Sequence, residues 1–146
     1  MISIQHYIYQ SDWTKVTTAF LNKYPNSQQP HVIEVDTISR HLTNEGHLQL
    51  QRLLRTKYLF LDYYYIEDIY INPIDKECLI TTKPLHYQNL GIVEKCQYKG
   101  NKETTEYTQS IRLEHSILKN KIIQQYKEMS KKGIEVIEQK IREIKK

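Results

Sequence analysis

The sequence has few of the residues that interrupt regular structure and few of those that cross-link a fold. Its 146 residues include only four glycines, four prolines and two cysteines, and no segment is of low complexity. This composition excludes a disordered chain and a disulfide-rich scaffold. Twelve tyrosines indicate instead an ordered globular protein with many half-buried strand positions. The length suits one domain over residues 1–146, which would bury about two-thirds of its unfolded surface.

Long apolar runs and a strong charge of one sign are missing as well. No run approaches the roughly 18 apolar residues that cross a bilayer, so we expect no membrane span. The first ten residues lack the basic segment and cleavage site of a signal peptide, and we expect no such signal. The net charge of +4 arises from 21 basic and 17 acidic residues that are interspersed. Charge therefore gives no argument for a nucleic-acid partner, and we expect none.

Sets of residues that carry out catalysis or bind metals are also scarce. Two cysteines are too few for a zinc site, and two histidines beside one turn, His41 and His47, do not make one. No nucleophile with its base and no glycine-rich phosphate loop stands out, so we expect no enzyme, no metal and no cofactor. The run Tyr63–Tyr65 favours core and cavity lining over base stacking, because alternation sends neighbouring side chains to opposite faces of a sheet.

The two cysteines, Cys78 and Cys96, leave one question open. They lie near the outer ends of a predicted hairpin centred about residue 87. Antiparallel pairing brings residues at such positions close together. The sequence therefore allows a disulfide between them, with two free thiols as the alternative.

Alternating hydrophobicity predicts seven strands. They cover residues 2–9, 31–42, 47–57, 62–71, 78–83, 91–98 and 104–113. The second and third form a long hairpin, whose turn ends in a glycine, Gly46, placed for positive φ. In the second arm Arg52 shares a face with Leu50 and Leu54, so an arginine lies on the apolar side. Further turns are predicted at residues 72–75 and 100–101.

Periodicity of three to four residues predicts two helices. Ser11 is the expected N-cap of the first, which ends by Tyr24 because a proline follows. Its apolar face comprises Trp13, Val16, Phe20 and Leu21. The second begins near Glu114 and runs nearly to Lys146. Its apolar stripe comprises Leu118, Ile122, Tyr126, Met129, Gly133, Ile137, Ile141 and Ile144. These elements predict an α+β fold, a seven-stranded antiparallel curved sheet with the long C-terminal helix packed across it, able to enclose a cavity.

Residues 11–54 contain a specific pattern of aromatic, basic and turn residues. The matching positions are Trp13, Val16, Ala19, Phe20, Lys23, Tyr24, Pro25, Asn26, His31, Val32, Asp36, Arg40, Gly46, Leu48, Arg52, Leu53 and Leu54. In this pattern the chain resembles the PRELI family of phospholipid-transfer proteins of the mitochondrial intermembrane space. Weaker similarity continues through Asn72–Pro73, Val93–Glu94 and residues 130–141. The resemblance implies a seven-stranded sheet and a long C-terminal helix around a lipid cavity.

The resemblance also implies a function and its partners. The expected activity is binding and transfer of a phospholipid of the phosphatidic acid or phosphatidylserine class, which is a bound ligand and not a cofactor. The protein would work at membrane surfaces as a peripheral protein. Its expected protein partner is a small helical hairpin with twin Cx9C motifs.

A phosphate held at the mouth of an apolar cavity needs cations, because a desolvated and unpaired phosphate costs several kcal/mol. Lys23, Arg52 and Lys132 stand at basic positions of the family pattern, and Arg55 and Lys57 lie close to the second of them in the sequence. These five residues are the candidate headgroup site. The alternative for the two matching lysines is a solvated surface position.

The alternative for Arg52 is a buried structural pair with Glu67 or another strand carboxylate. This alternative follows from the position of the arginine between leucines, where its charge needs a partner.

The chain departs from the family where the resemblance implies a lid. By comparison with the family, about fifteen residues are missing between residues 55 and 61. Gln125, Met129 and Ile134 also stand where relatives carry lysine, asparagine and arginine. These departures favour a second hypothesis, a structural accessory subunit of a larger mitochondrial inner-membrane complex or assembly. An open cavity would favour the lipid hypothesis, and an interior filled by tyrosines and leucines would favour the structural one.

Overall fold

Seven strands and two helices make up the part of the protein that the structure describes. The computed structural model describes residues 2–58, 61–85, 92–113 and 119–144. The strands are β1 (Ile2–Tyr9), β2 (Val32–Leu42), β3 (Leu48–Tyr58), β4 (Leu61–Asn72), β5 (Glu77–Pro84), β6 (Val93–Asn101) and β7 (Thr104–Arg112). The helices are α1 (Trp13–Leu21) and α2 (Lys119–Ile144). The predicted α+β class is confirmed; the predicted start of the second helix near residue 114 lies outside the described residues.

All seven strands belong to one antiparallel sheet in the order β1-β7-β6-β5-β4-β3-β2. Strands β2 to β7 follow one another as a meander, and β1 adds to the far edge beside β7. The sheet is curved and open, and α1 and α2 pack on its inner face. This arrangement leaves a space between the sheet and α2 at one end of the molecule.

Strands β3 and β4 pair without a break. Their register runs from Leu48 opposite Ile71 to Tyr58 opposite Leu61. Only residues 59 and 60 therefore stand between the two paired strands. A lid segment at this position has no room in the chain, as the sequence comparison with the family indicated.

Strand β1 has an unusual distribution of side chains. Tyr9 is buried and Tyr7 is half-buried on the inner face, whereas Ile4 and Ile8 on the outer face are 58% and 56% exposed. The ring of Tyr9 packs against those of Tyr98 and Tyr107, at centroid distances of 6.2 and 6.4 Å. Aromatic contacts thus form the inner wall at this edge of the sheet.

The predicted N-cap of α1 was wrong by one residue. Asp12 caps the helix, and its Oδ1 accepts the backbone N–H of Lys15 at 2.9 Å. Ser11 is instead buried, and its carbonyl accepts the hydroxyl of Thr105 at 2.9 Å. Asp12 has the extended backbone that an N-cap requires. The predicted apolar face of the helix is confirmed, with Trp13, Val16 and Phe20 buried.

A solid core fills the end of the molecule that holds the turns after β2 and β4. Its central members are Trp13, Val16, Leu50, Ile69, Ile71, Cys78, Ile80, Ile137 and Ile141. The two helices contribute side chains to this core from one side, and the strands contribute side chains from the other side. Neither helix described by the structure is apolar and long enough to serve as a membrane span.

The cysteines are both free. Cys78 lies opposite Tyr98 and Cys96 lies opposite Ile80, so the thiols are offset by two residues along the hairpin. The centre of the β5–β6 pairing falls one residue later than the sequence suggested, which separates them. Burial raises the pKa of Cys78 to about 12, so its thiol stays protonated at neutral pH.

One predicted turn, at Gly46, is confirmed, and another, at Gly100 and Asn101, is not. Gly46 has φ of 85°, as predicted for the β2–β3 turn. The turn predicted at Gly100 and Asn101 was wrong, because both belong to β6 and the turn residue with positive φ is Lys102. Gly100 is required for another reason: a Cβ there would lie 2.7 Å from the Cβ of Trp13.

Candidate functional site

A cavity of about 440 Å³ lies between the inner face of the sheet and the first half of α2. It occupies the end of the molecule where β3 passes into β4, opposite the solid core. Its apolar wall includes Phe20, Val32, Leu54, Ile80, Ile92, Ile122, Met129 and Ile134. Its tyrosines are Tyr9, Tyr24, Tyr63, Tyr65, Tyr98, Tyr107 and Tyr126. Tyrosines thus line the interior without filling it.

The loop between α1 and β2 fixes one side of the cavity. The amide group of Asn26 donates to the Lys23 carbonyl at 3.0 Å and to Gln29 Oε1 at 3.2 Å, and its Oδ1 accepts the Gln29 N–H at 2.8 Å. The preceding Tyr24–Pro25 peptide bond is cis. Gln29 in turn donates to the Met129 carbonyl of α2 at 3.4 Å. The Tyr-Pro-Asn motif therefore anchors this loop to the long helix.

Lys23 extends from this loop into the cavity wall. Its Nζ lies 4.7 Å from the ring centroid of Tyr24, a cation–π contact. It also approaches α2 so closely that a Cβ at position 133 would lie 3.0 Å from Nζ, which is why Gly133 fits there. Burial alone would lower the pKa of Lys23, but Tyr24 and Glu94 outweigh that effect and raise it. The ammonium is therefore charged at neutral pH.

His31 and Lys132 lie near Lys23 at the same end of the cavity. His31 lines the cavity and is half-buried, while Lys132 is exposed on α2. Burial lowers the pKa of His31, and the charges of Lys132 and Lys23 lower it further. Three basic groups from a loop and a helix thus converge, and we call Lys23, His31 and Lys132 the basic cluster. His31 was not predicted as a site residue, although its place in the family pattern was the available signal.

A polar network lies deeper in the cavity. Gln109 donates to Glu94 Oε2 at 3.0 Å, and the thiol of Cys96 lies 3.7 Å from Glu94 Oε1. Tyr107 Oη is 3.3 Å from Ser130 Oγ on α2. Burial raises the pKa of Glu94, and the charge of Lys23 and the amide of Gln109 offset part of that rise. The interior therefore presents hydrogen-bonding groups beside its apolar wall.

Arg52 is held in a buried ion pair. Its Nε and Nη2 lie 2.7 and 2.6 Å from Glu67 Oε1, and its Nη1 donates to the Leu21 carbonyl at 3.1 Å. The guanidinium also stacks 5.3 Å from the ring centroid of Phe20. Arg52 and Glu67 are only 6% and 4% exposed. Arg52 thus forms the buried structural pair with Glu67 that was its predicted alternative. A role of Arg52 in binding a lipid headgroup stays a prediction.

Arg55 and Lys57 lie on the outer face of the sheet, away from the cavity. Arg55 forms ion pairs with Glu34 at 3.4 Å and with Asp62 at 3.5 Å, and Lys57 is exposed. Strand alternation causes this placement, because Leu54 before Arg55 and Thr56 after it point inward. The fold brings Lys23 and Lys132 together, but it places Arg55 and Lys57 elsewhere. A role of Arg55 and Lys57 in headgroup binding also stays a prediction.

Other predicted positions are distributed as the strand and helix periods require. Tyr63 and Tyr65 line the cavity, and Tyr64 pairs with Arg55 on the opposite face. Gln125, Met129 and Ile134 also line the cavity, so the positions that differ from the family pattern face the interior. His47 contacts the Tyr70 hydroxyl. The described residues hold no cluster of three metal-binding side chains.

Comparison with known proteins identifies the family. Residues 14–146 match the PRELI-like family over nearly the whole chain. The chain belongs to the PRELI-like family. The resemblance seen in its sequence motifs is thereby confirmed.

The chain is similar to several PRELI relatives. It is 47% identical over 49 residues to Protein UPS1, mitochondrial, from Saccharomyces cerevisiae, which covers 34% of this chain and 28% of that protein. It is 27% identical over 116 residues to PRELI domain-containing protein 1, mitochondrial, from Bos taurus, covering 70% of this chain and 53% of the relative. The slowmo homolog of Dictyostelium discoideum is 27% identical over 130 residues, covering 79% and 57%. The chain therefore spans little more than half the length of these relatives at most.

Solved structures show the same fold at low identity. TTHA0849 from Thermus thermophilus superposes with a TM-score of 0.72 at 8% identity, over all of both chains. A START superfamily protein from Mycobacterium smegmatis gives a TM-score of 0.68 at 10% identity, over 98% of both chains. These likenesses concern the fold alone.

Proposed function

We propose that this protein binds a phospholipid with an anionic headgroup and transfers it between membranes. The observation that carries the proposal is the partly apolar cavity of about 440 Å³, with Lys23 and His31 on its wall and the exposed Lys132 close to His31. Lys23 and Lys132 supply positive charge and His31 a ring nitrogen for a phosphate, and the wall of isoleucines, tyrosines and Leu54 takes the hydrocarbon. Transfer consists of extraction and release, with no covalent bond made or broken.

We propose the lipid class, the location and the partners from the resemblance to the family. Phosphatidic acid and phosphatidylserine are the candidate cargo, because both carry a phosphate and net negative charge. The names of two relatives place them in mitochondria, and we propose the intermembrane space for this protein. A small helical hairpin with twin Cx9C motifs is the proposed partner, and contact with membranes is peripheral.

A liposome-to-liposome assay with labelled phosphatidic acid or phosphatidylserine tests the proposal. The purified chain should accelerate transfer, alone or with a co-expressed partner. Lys132→Ala should slow transfer of anionic lipid, because it removes one charge of the basic cluster. Lys131→Ala is the matched control, since it removes the same charge from the neighbouring exposed position of α2. Absence of transfer with and without a partner would reject the proposal.

A second function is favoured by the closed β3–β4 hairpin and by the engagement of Arg52 with Glu67. Under this alternative the domain is a structural accessory subunit of a mitochondrial inner-membrane complex. Such a subunit needs no ligand. Recovery of the protein from cells in a large membrane complex, with no bound phospholipid by native mass spectrometry, would support it against transfer.

A further inference from the structure

The two edges of the sheet differ in how they are protected. Strand β2, at one edge, has two register shifts against β3, and its exposed positions include the charged residues Glu34, Asp36 and Arg40. Bulges and charges are features that keep an edge strand from pairing with another chain. Strand β1, at the other edge, pairs with β7 without a register shift, and its sequence contains no aspartate, glutamate, lysine, arginine or proline. The β1 edge therefore lacks both kinds of protection.

The backbone of β1 has hydrogen-bonding groups to offer along this edge. In the described part of the sheet β1 pairs on one side only, with β7. Along the other side, alternate residues of an edge strand point their N–H and C=O groups away from the sheet. An added antiparallel strand would satisfy these groups, as in recognition by strand addition.

The side chains of β1 favour an apolar partner. On the outer face Ile4 and Ile8 are 58% and 56% exposed, and they stand on either side of His6. The residues opposite the two isoleucines on β7 are Ser110 and Glu106, which leave them uncovered. The tyrosines of the inner face, by contrast, pack inside the protein. The free surface of β1 is thus its edge together with an apolar row on the outer face.

The sequence of the strand is complementary to itself. Residues 4–8 read Ile-Gln-His-Tyr-Ile, with one isoleucine two residues before His6 and the other two residues after it. When two such strands pair antiparallel with His6 opposite His6, Ile4 of each strand lies opposite Ile8 of the other. Residues that lie opposite one another share a face, so both isoleucine pairs form on the outer face. Cross-strand pairs of β-branched side chains stabilise a ladder of this kind.

We propose that the β1 edge is a dimerisation surface, on which β1 of a second copy of this chain pairs antiparallel and centred on His6. The two sheets then continue as one, with seven strands from each copy. A charged partner peptide would find no opposite charge on β1, whereas a second copy places isoleucine against isoleucine. This match is what favours a second copy as the occupant.

The assembly stops at two copies. A surface that pairs with itself across a two-fold axis is used up in the dimer. The remaining edge of each copy is β2, which its register shifts and charges protect. Pairing takes place at the edge and the outer face, whereas the cavity lies on the inner face. The inference is therefore independent of the proposed lipid function.

Sedimentation of the purified full chain tests the inference. The average mass should rise from that of one chain to that of two as the concentration increases from low micromolar to several hundred micromolar. Amide hydrogen exchange over the same range should slow in residues 2–9 and stay unchanged in residues 36–42 of β2, because only the first segment gains partners. The mass of a single chain at every concentration would overturn the inference.

Two double variants test the register. Ile4→Lys with Ile8→Lys sets like charges opposite each other across the dimer and should weaken dimerisation by on the order of tenfold or more. Ile4→Glu with Ile8→Lys also places two charges at these positions, but each glutamate then lies opposite a lysine of the other copy, so this variant should still dimerise. Equal dimerisation of the two variants, whether strong or absent, would overturn the pairing centred on His6.

A further variant controls for the added charge alone. Leu79→Lys places a lysine at a position of β5 that is 42% exposed on the outer face, away from the edge, and it should dimerise like the unaltered protein. All three variants change exposed side chains, so circular dichroism should show the same folded sheet in each. Loss of dimerisation in Leu79→Lys as large as in the double lysine variant would overturn β1 as the surface.

Discussion

At the scale of single residues, burial of the Arg52–Glu67 pair removes two charges from water. Both charges lie on the inner face of the sheet, and each is the other's main partner. Arg52→Ala should lower the free energy of unfolding by about 3–5 kcal/mol, because it leaves the Glu67 carboxylate buried without a partner. Urea denaturation followed by circular dichroism measures the change.

The double variant Arg52→Met with Glu67→Leu is the control for this prediction. It replaces both charges by apolar side chains of similar size, so most of the lost stability should return. A double variant as unstable as Arg52→Ala would contradict the structural role. It would indicate that Arg52 acts through contacts other than its ion pair.

His31 should make lipid binding depend on pH. Burial, Lys132 and Lys23 lower its pKa in the folded protein, and a bound phosphate next to it would raise that pKa again. Binding of an anionic lipid therefore takes up a proton, and affinity should increase as pH falls from about 7.5 to about 6. Without ligand the sign for stability is opposite: the contribution of His31 is present above its unfolded pKa of about 6.5 and is lost as pH falls.

Lipid affinity measured across this pH range checks the prediction. His31→Gln should remove the pH-dependent gain, whereas His41→Gln, at an exposed position of β2, should retain it. Because the lipid phosphate titrates equally in all three proteins, the difference between variants reports the histidine. Identical pH profiles for the unaltered protein and His31→Gln would contradict a phosphate beside this residue.

At the scale of elements, the packing of α1 on β6 depends on a glycine. Trp13 donates its indole N–H to the Tyr98 carbonyl at 3.1 Å, and this brings its Cβ to the surface of Gly100. Gly100→Ala should destabilise the protein by about 1–3 kcal/mol, because the added methyl meets Trp13 at 2.7 Å and Lys76 at 2.9 Å. Thermal unfolding measures the loss. Glu103→Ala, at an exposed turn position nearby, should change stability little, and an equal effect of both would disprove the contact.

The same scale explains what a sequence motif does. The Tyr-Pro-Asn segment stands out in the sequence as a family signature, but its role becomes visible only in the hydrogen bonds of Asn26. These hydrogen bonds fold the loop so that Lys23 and His31 lie beside α2, which is distant from them in the sequence. Sequence spacing gives no indication of that meeting.

At the scale of the whole molecule, periodicity was sufficient for the fold and insufficient for the site. Strands and helices were predictable because alternation and helical spacing persist over many residues in each element. Arg55 and Lys57 were grouped with Arg52 by proximity in the sequence, yet the period of two places them on the other face. Strand β1 shows the same limit, since hydropathy favours isoleucine inside and the fold places Tyr7 and Tyr9 there.

The division of the molecule into a solid end and a hollow end has an evolutionary consequence. Residues such as Ile69, Ile71 and Ile141 hold the fold together at one end, whereas the cavity-lining residues Tyr63, Tyr65 and Ile122 lie outside the buried core cluster. Mutations at the hollow end can therefore accumulate and alter cargo preference while the architecture survives. A lineage in this family is thus able to exchange one ligand for another by gradual drift, without passing through an unfolded ancestor.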